Sequence, residues 1–164
     1  MRKYLAAALS IGLLAAPAAA KQQNATPTGQ WVVDVSDAGC TVFREFSAGK
    51  EQYFLHVNRY AGDPAMELVV LHKDKLDNEV YRVTGDLVID DGESALSPEV
   101  HRIAMAGGFM RFGVTMDPAS HPLGHVDDSL SLHAGRLIDV RLATGPMGRP
   151  LEALESCVAS EMDG

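Results

Sequence analysis

Mainly β is the architecture that the 164 residues imply: an antiparallel sandwich or open barrel of about nine to ten strands with one C-terminal helix. Short runs in which apolar and polar side chains alternate recur from Trp31 to Thr144, the period of strands with one buried face. Gly, Asp and Pro punctuate these runs at short intervals, as turns require. Only the segment from Pro150 onward changes to a helical period. No repeat of about 20 to 50 residues recurs, which excludes solenoids and propellers.

Three stretches organise the chain: a signal peptide over 1–20, a flexible lead-in over 21–30 and a single β-rich domain over 31–164. Arg2 and Lys3 open the first, Leu5 to Ala16 is its apolar run, and Ala18-Ala19-Ala20 supplies the small residues of a cleavage site. A run of about a dozen residues broken by Pro17 is too short for a membrane anchor, which takes about 20. Removal of residues 1–20 takes away two basic side chains and leaves 12 against 22 acidic ones, a charge of −10. The expected address is periplasmic or secreted. Lys21 to Gln30 is polar and holds Pro27 and Gly29, so order is expected to begin at Trp31.

The β-rich runs follow in order. Trp31 to Val35, Cys40 to Phe46, Tyr53 to Tyr60, Met66 to His72 and Glu79 to Thr84 come first. In the third, Tyr53, Leu55 and Val57 share one face and Phe54, His56 and Asn58 the other. Leu87 to Ile89 continues the series. Val100 to Ala106 and Phe109 to Met116 meet across Gly107-Gly108, where two glycines suit a turn with positive φ. Leu130 to His133 and Arg136 to Thr144 repeat that device around Ala134-Gly135. Pro150 then suits a helix start, and Leu151, Leu154, Cys157 and Val158 form one apolar stripe.

Cys40 and Cys157 are the only two cysteines, and an oxidising compartment favours pairing them. Their loop of about 117 residues is worth at most roughly 4 to 5 kcal/mol in the chain-entropy account. A bridge on the apolar stripe places the helix on the sheet as a lid.

Few constellations carry chemistry. The stretch Leu87-Val88-Ile89-Asp90-Asp91-Gly92 resembles the active-site stretch of retropepsin-type aspartic proteases, where apolar residues lead into Asp-Thr/Ser-Gly. That resemblance implies two carboxylates sharing one proton. Asp91 departs from it, because it replaces the bracing hydroxyl with a second negative charge. His121, His125 and His133, with Asp127 and Asp128 nearby, offer ligands that zinc uses, but Pro122 and Gly124 forbid a helical His-x-x-x-His arrangement. No Gly-x-Ser-x-Gly elbow, no phosphate loop and no Gly-x-Gly-x-x-Gly is present. Met105, Met110 and Met116 read as core filling. No cofactor is implied.

Trp31 with Cys40-Thr41-Val42-Phe43-Arg44-Glu45-Phe46, and Ala143-Thr144-Gly145-Pro146-Met147 with Leu151, Leu154 and Cys157, resemble a family of uncharacterised exported bacterial proteins. More distantly they are similar to the invasion-associated locus B family. The likeness covers the two ends of the chain and implies a disulfide-tied β domain; it carries over no catalytic residue.

The functional expectation is therefore an exported binding or accessory protein of the cell envelope, not an enzyme, whose partner is an envelope protein or a small ligand. Phe46, Phe54 and Tyr60 are its candidate aromatic anchors. The acidic balance excludes nucleic acid, which demands clustered Lys and Arg, and no membrane span follows the signal. The alternative is an envelope hydrolase, aspartic-type or metal-dependent, with Asp90, Asp91, His121, His125 and His133 as site candidates.

Overall fold

A computed structural model describes residues 21–60, 62–73, 80–92, 94–117 and 122–162. The expected signal segment and His121 lie outside these residues. Twelve strands form one sheet: β1 (Gln23–Pro27), β2 (Val32–Ser36), β3 (Gly39–Ala48), β4 (Glu51–Tyr60), β5 (Met66–Lys73), β6 (Tyr81–Thr84), β7 (Asp86–Ile89), β8 (Ser94–Leu96), β9 (Glu99–Met105), β10 (Phe109–Met116), β11 (Leu130–Ala134) and β12 (Ile138–Leu142). One helix, α1 (Gly148–Met162), ends the described chain. Across the sheet the order is β6-β9-β10-β5-β4-β3-β1-β12-β11-β7-β8, and β2 joins β3 alongside β1.

The mainly β architecture and the C-terminal helix agree with the sequence reading, whereas the count of nine to ten strands is corrected to twelve. The pairing describes one curled open sheet, half-barrel in form. β1 and β8 are the added strands. β1 lies inside the segment read as a flexible lead-in; its five residues bury only Ala25, so no alternation marks it. It is held through its backbone, antiparallel to β3 and parallel to β12. That parallel pair departs from the expected antiparallel pattern. Arg44 fastens the same region, donating to the Gly29 carbonyl at 2.8 Å and the Thr144 carbonyl at 2.9 Å beneath Trp31.

The two ends of the sheet belong to one bent ribbon. β6 pairs with β9 so that Thr84 faces Glu99, and β7 pairs with β8 in unchanged register, Leu87 facing Leu96. Gly85 sits at the bend and donates its N–H to the Pro98 carbonyl at 3.0 Å. A Cβ there would lie 2.6 Å from the His133 carbonyl oxygen and 2.6 Å from a Val100 methyl, so the corner admits only glycine without displacement. The turn between β9 and β10 spans Ala106–Gly108. Gly107 and Gly108 both take positive φ there as expected, but Met105 faces Phe109, which makes the loop three residues long.

Inward-facing side chains build one continuous core. Val42, Phe46, Leu55, Val57, Leu68, Val70, Phe112 and Val114 come from one half, and Leu87, Leu130, Leu132, Val140 and Leu142 from the other. Leu151, Leu154 and Val158 of α1 cap it. Cys40 on β3 and Cys157 on α1 form the expected disulfide, with Cα atoms 6.1 Å apart, and Arg59 adds an ion pair to Glu155 of α1 at 3.3 Å. Among the described residues no helix is long and apolar enough to cross a membrane.

On the outer surface of β3, β4, β5 and β10, Glu67 pairs with Arg111 and accepts from Tyr60 at 2.8 Å and Asn58 at 3.2 Å. Burial raises the Glu67 pKa, but the Arg111 and Tyr60 hydrogen bonds outweigh it and leave the carboxyl below its usual range. Of the candidate anchors, Phe46 is core, Phe54 packs edge-on against Phe109 at 5.9 Å, and Tyr60 is exposed but tied to Glu67.

Candidate functional site

Alternation along three neighbouring strands builds a polar surface opposite the core. On β11, Leu130, Leu132 and Ala134 turn inward, which leaves Ser131 and His133 outside. On β12, Ile138, Val140 and Leu142 are inward and Asp139 and Arg141 outward, and on β7 Leu87 and Ile89 leave Asp86 and Val88. Register aligns these into two rows. Arg141, Ser131 and Val88 are opposite one another in the first, Asp139, His133 and Asp86 in the second.

Past β7 the chain turns through Asp90 and Asp91, both left-handed at φ 45° and 57°. Aspartate tolerates this better than most residues because its short polar side chain bonds locally. The two carboxylates part here. Asp90 accepts the backbone N–H groups of Asp127, Asp128 and Ser129 at 3.0, 2.8 and 2.9 Å. Partial burial raises its pKa, but these three donors outweigh that and hold it below the ordinary range. Asp91 instead takes a two-pronged contact from Arg141, at 2.6 and 2.8 Å, which lowers its pKa. Arg141 also reaches Asp128 at 2.9 Å, and the Asp91 hydrogen bond raises its own pKa.

Between these groups lies a concavity of about 240 Å³ lined by Gln22, Asp86, Val88, Asp91, Ser131 and His133. Nδ1 of His133 is 3.5 Å from Asp139 Oδ2 at its rim. Asp86 accepts the Ser97 hydroxyl at 3.2 Å. Ser131 is 8% exposed and lines the concavity from β11.

Of the sequence candidates, Asp91 and His133 thus share one concavity. Asp90 serves as a clasp on the loop behind it. His125 is exposed at the end of the turn Pro122–His125 and does not line the concavity. Among the described residues, no group of three or more His, Cys, Asp or Glu is placed to hold a metal ion. Ser131, Asp86, Asp139 and Arg141 were not singled out by sequence. Their signal was the polar half of the β7, β11 and β12 alternation, readable only once the register is known.

A second surface stands apart. Every residue of β2 is exposed, with Val32 at 45%, Val33 at 41% and Val35 at 54%. β2 pairs with β3 on one side only among the described strands. Val33 and Val35 lie opposite Val42 and Cys40, on the side that α1 covers over β3, while Val32 lies opposite Phe43 on the other side.

No family model, curated protein or solved structure matches the chain.

Proposed function

We propose that this chain is an exported, non-enzymatic binding or accessory protein of the cell envelope that takes up an extended segment of a partner protein along β2. One observation carries the reading: a strand with three exposed valines and an unpaired edge. Such an edge supplies main-chain hydrogen bonds to an added strand, and its alternate side chains supply selectivity. A disulfide that ties α1 to β3 beside this edge suits an oxidising compartment and keeps the edge rigid.

The hydrolase alternative has less support. An aspartic dyad needs one protonated member, and Asp90 and Asp91 are each held ionised by separate partners. The test is site-specific photo-crosslinking in the envelope of the producing cell. Probes at positions 33 and 35 are expected to give a discrete adduct that a probe at exposed Lys50 does not. Equal labelling at all three positions, or none at β2, refutes the reading. Turnover of a peptide, ester or glycan by the purified protein favours the hydrolase.

A further inference from the structure

We infer that the segment added along β2 is a basic strand, with a Lys or Arg set against Asp34 and an apolar residue on either side of it. The inference rests on the docking reading of β2 and names the chemistry of its partner. The two-residue turn Asp37-Ala38 closes the β2–β3 hairpin at Ser36 and Gly39, so hydrogen bonding to β3 falls on Ser36, Asp34 and Val32. Val33 and Val35 therefore turn their N–H and C=O groups to the open edge. An antiparallel strand that takes up those four groups sets one residue directly opposite Asp34, at the closer spacing where side chains meet.

Side-chain direction sorts the remaining contacts. Val33 and Val35 lie on the side that α1 covers, opposite Val42 and Cys40, and Asp34 lies on the other side, opposite Thr41. The residues flanking the partner's cation thus fall beside the two valines, where apolar side chains suit. Charge decides the occupant. Asp34 is exposed and enters no ion pair among the described residues. Arg44 on β3 is committed to the Gly29 and Thr144 carbonyls and Arg59 on β4 to Glu155, so neither neighbour answers it. A second copy of this chain fits worse. The antiparallel register that matches all five residues of β2 with themselves puts Asp34 against Asp34, and like charges directly opposite repel. Each copy also carries a net charge of −8.

The test titrates two capped heptapeptides, Ser-Thr-Val-Lys-Val-Thr-Ser and its Glu counterpart, into the isotopically labelled, disulfide-bonded protein and follows amide chemical shifts. The lysine peptide is expected to shift Val33 and Val35 saturably, with a Kd in the millimolar range or tighter, and to bind roughly fivefold tighter than the glutamate peptide. Asp34→Lys is expected to reverse that preference. If both peptides bind β2 equally, or if Asp34→Lys keeps the original order, the inference is overturned while the docking reading stands. The same holds if neither peptide moves β2 but probes at positions 33 and 35 still crosslink a discrete envelope partner. If those probes give no adduct either, both fall. A dimer in analytical ultracentrifugation whose formation protects the Val33 and Val35 amides assigns the edge to a second copy and overturns the inference.

Discussion

Gly85 shows how much of this structure depends on a single missing methyl. A Cβ placed 2.6 Å from the His133 carbonyl oxygen meets backbone that has no freedom to yield. Gly85→Ala is expected to cost about 3 kcal/mol, at the upper end of typical overpacking penalties, and thermal unfolding measures it. Asp90 makes a contrasting case. Asp90→Asn keeps the size but turns an amide donor toward backbone donors, so a loss of about 1 to 2 kcal/mol is expected in denaturant unfolding. His56 adds a pH dependence. It is stacked on Phe43 at 5.2 Å, and burial, reinforced by the charge of Arg111 and opposed by Asp34, lowers its pKa. A depressed folded value means that the unfolded chain takes up the proton first. Stability is then full above about pH 6.5 and declines as pH falls below it toward the folded value. In His56→Gln the fall in melting temperature between about pH 7 and pH 5 should be shallower; an unchanged slope refutes the assignment.

Strands that bury one face announced themselves, β2 showed through its valines although all of it is exposed, and β1 and β8 were invisible. β3, β4 and β10 carry their alternation plainly, and the helix shows its stripe of Leu151, Leu154 and Val158. β1 has a single buried side chain and β8 only three residues, so both exist through backbone pairing that composition does not record. The site follows the same rule. Asp90 and Asp91 drew notice as neighbours in sequence, yet a left-handed turn sends them to different partners, whereas Asp86 and Asp139 come opposite His133 through register alone. At β2 the valines contribute little to the molecule's own core. Val35→Lys should therefore shift the melting temperature by no more than about 2 °C, the scale of an ordinary surface substitution. A drop of several times that size would show β2 to be part of the core and weaken the docking reading.

Considered as one body, the molecule is fastened end to end. The Cys40–Cys157 bridge encloses 117 residues, and its reduction removes a constraint on the unfolded ensemble worth at most roughly 4 to 5 kcal/mol. Calorimetry with and without reductant should register a fall in melting temperature of roughly 10 °C or more. Cys40→Ser with Cys157→Ser should reproduce it.

The parallel pairing of β1 with β12 carries a consequence for timing. The earliest strand to leave the ribosome has as its neighbour nearly the last, so no amount of local zipping completes the shell while synthesis is under way. The nascent polypeptide stays pliable until its tail arrives. The lock at Cys40 waits likewise for Cys157, near the end of the last helix.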